Sequence, residues 1–352
     1  MVRRVLEVAV YTFNPVLDAR WAAFLQEHPR ASVFHSAPWL ESLSRTYGYE
    51  PLAFTTSAPS TELTNAVVFC RIRSWLTGRR LVSLPFSDHC EPLVDRSDEL
   101  DEMIPHLKKH VDEGKCKYIE IRPVSCELDR QKDLNISAAY SFHRLNLRPN
   151  AQELFRNFHK NCVQRKIGRA EREKLTYDGG NSEALLKEFY RLLVMSRRRQ
   201  SLPPQPIGWF RRLIAAFGKD LTIRVASKDG VAVASILTLS HKKTIVYKYG
   251  CSDPAANKFG GMALLFWRTI QEAQQNGLEE LDMGRSDADN PGLVAFKDHW
   301  GAIGTSIKYW RYCAKPGEPQ KKWKKMLARQ VISTAPDSVL ETIGKLLYRH
   351  VG

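Results

Sequence analysis

The chain has 352 residues, 43% of them hydrophobic and 26% charged, with a formal net charge of +15 at pH 7. That balance excludes a disordered or low-complexity protein, and the length favours two domains over one core. The one-sided charge points to an anionic partner or substrate: a nucleic acid, a phosphorylated precursor or an anionic membrane face.

Residues 1–149 read as a first domain. Three β-rich runs, PLAFTTS, NAVVFCRIRSW and RRLVSLPF, come first, with a turn at Thr77–Gly78 between the last two. After a long loop, SDELDEMIPHLKKHVDEG reads as a helix that closes at Gly114, and KCKYIEIRPV returns as a strand. Residues 150–314 form a second domain. It opens on a long basic helix, AQELFRNFHKNCVQRKIGRAEREK, followed by helices in SEALLKEFYRLLVMSRRRQ and PIGWFRRLIAAFG on either side of a Pro-rich break. Strands LTIRVASKDG, VAVASILTLS and KKTIVYKYG follow, the first two joined by an Asp-Gly turn. The loop CSDPAANKFGG then leads into the helix MALLFWRTIQEAQQNG and the strand LEELDMG. Both halves thus run strands, long loop, helix, strand, which argues for two α/β (α+β) domains of one architecture, each a mixed twisted sheet flanked by helices. SIKYWRY is a last strand. Residues 315–352 form a basic tail ending in an amphipathic helix that docks on the body or lies on a membrane surface.

The seven cysteines are odd in number and include no CxxC pair, and no HExxH is present, so neither a metal site nor a disulfide framework is expected. The N-terminal apolar run is short and contains Glu7, and no run approaches the ~20 apolar residues of a spanning helix. A cytoplasmic protein is expected. GxSxG, GxGxxG and GxxxxGK[ST] are absent, which removes hydrolase-elbow, dinucleotide and P-loop readings.

Two loops follow strand ends, where α/β sheets place their sites. In the first, Lys258, Gly260 and Gly261 precede a helix whose free N–H groups favour an anion. The second holds Arg285, Ser286, Asp287 and Asp289, then a helix capped by Asn290 and Pro291. On that helix Lys297 borders the apolar face, either as a snorkelling side chain or as a cation that stabilises developing negative charge. In the basic helix, Lys160, Asn161, Arg165 and Lys166 read as phosphate contacts or as a solvated face.

The second half resembles the acetyltransferase-like domain of the GNAT superfamily. More narrowly it resembles the Fem-type aminoacyltransferases, through KNCVQRKIGRAERE, VYKYGCSDPAANKFGGMALLFWRTIQEAQQNGLEELDMGRS and GLVAFKDHWGA. FHSAPWLESLSRTYGYEPLAF and LPFSDHCEPLV, with Trp39 and Asp88, match the same family's opening module. The resemblance implies two tandem GNAT-like domains and transfer of an acyl or aminoacyl group to an amine. The donor would be an acyl-CoA or an aminoacyl-tRNA. The acceptor would be an amine-bearing peptidoglycan, cell-envelope or exopolysaccharide precursor. By similarity Phe296 and Lys297 lie near the transfer site, and Tyr249, Arg285 and Ser286 line the pocket. The sequence leaves the base open among Asp287, Asp282 and Asp88, with a substrate-assisted route using only Lys297 and backbone donors as the alternative. Two departures stand out: ANKFGGMA keeps part of the CoA-phosphate loop pattern, and the helical hairpin of some Fem proteins is not evident. A CoA-dependent N-acetyltransferase of a small amine or amino sugar, and a non-catalytic module binding RNA or a membrane, are the alternatives. No DNA partner is expected.

Overall fold

The computed structural model describes residues 8–126, 128–314 and 336–351. These fall into two compact units. The first holds 8–126, 128–139, 307–314 and 348–351, and the second holds 140–306 and 336–347.

In the first unit, β1 (Tyr11–Phe13) is followed by α1 (Arg20–Glu27) and α2 (Ala37–Tyr47), which ends on the left-handed Gly48. Then come β2 (Glu50–Thr55), β3 (Val67–Ser74), β4 (Gly78–Val82), α3 (Ser97–Asp112) and β5 (Tyr118–Ile121). Strands β1 to β4 are antiparallel neighbours and β5 runs parallel to β4, so α3 is the crossover between two parallel strands. Asp98 and Glu99 in the first turn of α3, with Lys109 and His110 in the last, match the helix dipole. The helix buries Leu100, Met103, Ile104, Leu107 and Val111 against Phe54, Phe69, Ile119 and Ile121.

The second unit starts within β6 (Asn135–Asn146). The long basic helix expected next is broken in the structure. Instead α4 (Ala151–Asn157) ends at an extended Phe158, a π-helical turn spans Lys160–Gln164, and α5 covers Arg165–Arg172. The break has a local cause: His159 Nδ1 accepts the Cys162 N–H at 3.1 Å and caps a new helical start. β7 (Thr176–Gly180), α6 (Glu183–Arg199), α7 (Ile207–Phe217), β8 (Leu221–Lys228), β9 (Val231–His241) and β10 (Thr244–Ser252) follow. A short 3-10 segment, Pro254–Phe259, leads to α8 (Gly261–Gln275), then to β11 (Glu280–Asp287), α9 (Pro291–Asp298) and β12 (Ile303–Cys313). From Trp310 onward β12 pairs antiparallel with β5 of the first unit's sheet. The second unit's sheet has the order β6-β11-β10-β9-β8-β7, with β10 and β11 parallel and the other neighbours antiparallel. α8 packs Leu264, Leu265, Phe266 and Ile270 on Ile236, Ile245, Leu281 and Met283, while α5 adds Ile167 and Ala170 to the same core. Burying side chains of this kind contributes about 1.5–3 kcal/mol each.

α10 (Asp337–Leu347) realises the expected C-terminal helix, with Leu340 buried and Leu346 exposed. Tail residues 315–335, including the basic KKWKK run, lie outside the described residues. No described helix is long and apolar enough to cross a membrane.

Candidate active site

β10 and β11 run side by side for three residue pairs, from Thr244 with Glu280 to Val246 with Asp282. Beyond that point each follows its outer neighbour: β10 stays with β9 as far as Ser252, and β11 stays with β6 as far as Asp287. Two parallel strands that part in this way leave a mouth at their carboxyl ends, where backbone groups lose their partner across the gap.

Both strands are irregular where the mouth opens. On β10 the register slips between Tyr247 and Tyr249. On β11 it slips between Asp282 and Arg285, so Met283 and Gly284 stand opposite His143 alone. Gly284 takes φ +70°, a left-handed conformation that glycine adopts without a Cβ penalty. Two buried, oppositely charged side chains grip this residue. Asp282 Oδ1 accepts the Gly284 N–H at 2.7 Å, and Lys297 Nζ donates to the Gly284 carbonyl at 2.7 Å. Asp282 is 3% exposed and Lys297 1%. The ammonium is thus set inside the protein, not on the surface, and a hydrogen bond to a charged group of this kind contributes about 1.5–3 kcal/mol. His143 is also buried, with Nε2 3.1 Å from Asp298 Oδ1. Burial and then the charge of Lys297 hold the imidazole below its ordinary pKa, and Asp298 works against them.

The helix that carries Lys297 forms for the reasons its sequence suggests: Asn290 Oδ1 caps Leu293 N at 3.2 Å, and Pro291 fills the first turn. Phe296 is half-buried and packs edge-on to Phe266 of α8, with centroids 5.3 Å apart. The strand before it is longer than expected. Arg285, Ser286 and Asp287 belong to β11, paired with Phe142, Ser141 and Tyr140, and not to a polar loop. The reason is tertiary: β6 lies far away in sequence and supplies the ladder that turns these polar residues into strand. Arg285 lies over the Tyr140 ring at 4.0 Å. Ser286 is 2% exposed, and its Oγ has no hydrogen-bond partner among the described residues. Asp287 is exposed.

One helix start lies against the backbone of Lys166. α8 begins after Gly260, which has φ +83° and offers no side-chain cap, so its first-turn N–H groups depend on other partners. A Cβ at Gly260 would collide with the Lys166 carbonyl, and one at Gly261 would come within 3.0 Å of Ala234 Cβ. Gly260 is therefore needed for the close backbone approach of the α8 N-terminus to α5, and Gly261 for its packing on Ala234 of β9. Arg165 and Lys166 of α5, Lys160 and Asn161 of the π-turn, and Lys258 are all exposed. Uncapped N–H groups, a helix dipole and neighbouring cations suit a phosphate.

Tyr249 is 7% exposed and set among Phe189 and Phe210, its hydroxyl accepting from Trp209 Nε1 at 3.0 Å. The tyrosine that packs on the Phe266–Phe296 pair is Tyr247. It follows Val246 directly and lies 4.7 Å from Phe266 by ring centroids, and burial raises its phenol above the ordinary value. The bulge that redirects these neighbours is invisible to a period-2 reading. His143, which by sequence reads as a structural histidine, lies buried on β6. In the first unit, Trp39 is fully buried beside Phe34, and the Asp88 backbone carbonyl accepts from the Tyr309 hydroxyl at 2.7 Å.

Comparison with known proteins bears on this geometry. Residues 157–297 match the model of the acetyltransferase (GNAT) domain. The chain is 28% identical over 135 residues to a UDP-N-acetylmuramoylpentapeptide-lysine N(6)-alanyltransferase of Weissella viridescens, a match spanning 38% of this chain and 40% of that protein. Among solved structures, FemX superposes with a TM-score of 0.67 at 14% identity, covering 91% of this chain and 100% of that one. A tandem GNAT protein from the clavulanic acid biosynthesis pathway superposes with a TM-score of 0.56 at 9% identity, covering 88% and 99%. The fold is that of these tandem GNAT proteins.

Proposed function

We propose, from the match of residues 157–297 to the acetyltransferase (GNAT) domain, that the protein is an N-acyltransferase moving an acyl or aminoacyl group to an amine. The observation that carries the reading is the mouth between β10 and β11, placed in the same unit as the uncapped α8 N-terminus. The donor is an acyl-CoA or an aminoacyl-tRNA. Its phosphates rest on the first-turn N–H groups of α8, with Lys258, Arg165, Lys166 and Lys160 as counter-charges. Both donors are supported: the Gly260–Gly261 helix start suits a pyrophosphate, and the exposed cations of α5 suit a longer polyanion.

The acyl group enters the mouth. The amine nitrogen of the acceptor attacks its carbonyl carbon, the C–N bond forms, and the bond to the donor's sulfur or oxygen breaks. Backbone N–H groups of β10 beyond Val246, no longer paired with β11, face the oxyanion, and the fixed charge of Lys297 makes the surrounding potential positive. Tyr247 gives a proton to the leaving group, and Asp287 at the rim takes one from the nitrogen. Ser286 Oγ, buried without a hydrogen-bond partner among the described residues, is a ready contact for a polar substrate atom. The acceptor is an amine-bearing cell-envelope precursor, a choice supported by the alanyltransferase of Weissella viridescens. α10 exposes Val339, Leu346 and Leu347, which supports peripheral contact with an anionic membrane face.

The test is native mass spectrometry of the purified chain with acyl-CoAs and charged tRNAs, followed by turnover with a lysine-containing UDP-linked muramoylpentapeptide. One donor is expected to be retained and consumed. Binding of uncharged RNA alone, abolished by neutralising Arg165, Lys166 and Arg169 with no transfer to any amine, would replace this reading by that of a binding module.

A further inference from the structure

We propose that His159, Cys162 and His299 form a three-ligand site for a borderline-soft divalent cation of the Zn2+ type, with one coordination position left to solvent. One ring nitrogen of each histidine and the Cys162 Sγ all lie within 4.8 Å of one another. His159 and Cys162 stand three residues apart in the chain, and His299 joins them through the fold. The backbone holds the cluster together: His159 N donates to the His299 carbonyl at 2.9 Å, and the two rings lie 4.5 Å apart by centroid with 48° between their planes. His159 Nδ1 already directs its lone pair at the Cys162 segment, accepting that residue's N–H at 3.1 Å.

The donor set selects the ion. Two imidazoles and a thiolate suit Zn2+, Co2+ or a similar metal, while Mg2+ and Ca2+ call for oxygen ligands. Metal–nitrogen bonds of about 2.0–2.1 Å and a metal–sulfur bond of about 2.3 Å need ligand atoms about 3.5 Å apart in a tetrahedral site. The cluster therefore closes by about 1 Å through side-chain rotation, which half-buried Cys162 and His299 and exposed His159 allow. On binding, the Cys162 thiol gives its proton to solvent, and the metal takes a His159 lone pair in place of the amide hydrogen bond. The ion would tie the π-turn that bears Lys160 and Asn161 to the end of α9, just past Phe296 and Lys297. The site is independent of the acyl-transfer reading and stands or falls by metal binding alone.

The test uses the full chain, freed of metal by chelator and titrated with Co2+. One equivalent should produce a thiolate-to-cobalt charge-transfer band and tetrahedral d–d bands, both displaced by Zn2+. Cys162→Ser should lose the charge-transfer band and His299→Ala should weaken binding at least tenfold, while circular dichroism shows both variants folded. Zn2+ should raise the melting temperature of the wild type and not that of Cys162→Ser. If the wild type gives no charge-transfer band, or keeps the same band after Cys162→Ser, the three residues are neighbours without a metal.

Discussion

Replacing Lys297 by Met removes the buried ammonium and keeps the aliphatic stem, so no cavity opens. The lost interaction is its 2.7 Å hydrogen bond to the Gly284 carbonyl, a charge-assisted contact contributing about 1.5–3 kcal/mol. Part of that loss is offset, because the variant no longer pays for desolvating a charge. The net destabilisation is therefore expected to stay below about 3 kcal/mol, which lowers the melting temperature by no more than about 12 °C in a unit of this size. His143 reports the charge directly: burial and Lys297 both hold its pKa down, so removing Lys297 raises it. Transfer should fall by about 10²–10³-fold, the usual cost of deleting one fixed group that stabilises a transition state. Calorimetry, an NMR titration of the His143 ring and the transfer assay read the three effects separately. Full turnover in a folded Lys297→Met protein would refute its role in transfer. An unmoved His143 titration would refute the electrostatic contact.

Other expectations follow from the same geometry. Gly260→Ala places a Cβ against the Lys166 carbonyl in a left-handed conformation costing about 1–2 kcal/mol by itself. With overpacking added, the loss should exceed about 2 kcal/mol in denaturant melts and be accompanied by weaker donor retention. Because His143 is held below its ordinary pKa, the unfolded chain takes up this proton before the folded one does. Its contribution is thus complete above about pH 6.5 and lost as pH falls below that value, so His143→Asn should flatten the stability–pH curve in that window. Gly304→Ala brings a Cβ within 2.9 Å of His143 Nε2 and should cost about 1–3 kcal/mol while disturbing the bond to Asp298. In the first unit, burial alone would raise the pKa of Glu120, but Arg122 and Arg311, bonded to its carboxylate, hold it below the ordinary value. Its stabilisation is present above about pH 4.5 and fades as pH falls through the lower folded value. Glu120→Gln should cost about 3 kcal/mol in urea melts at pH 7, since it leaves two arginines without their carboxylate.

Much of this molecule is local, and local features were legible in the chain. The apolar stripe of α8, the Asn290–Pro291 start of α9 and the Asp229–Gly230 turn between β8 and β9 depend on residues within a few positions of one another, so their chemistry shows in the sequence. The resemblance to GNAT and Fem-type proteins was carried by such segments. What the sequence could not show depends on partners far along the chain. β6 makes strand out of Arg285, Ser286 and Asp287, which by themselves look like loop. The slip in register at Met283–Gly284 turns a carbonyl toward Lys297 and converts one basic residue among 53 into a buried cation. The cap at His159 breaks a helix that periodicity alone would continue, and His299 comes to Cys162 only through the fold. Hydrophobic period and capping chemistry act over one or two turns and can be read by counting. Strand pairing, bulges and the burial of a charge are decided by which distant segments come to lie together, and only the tertiary structure records that.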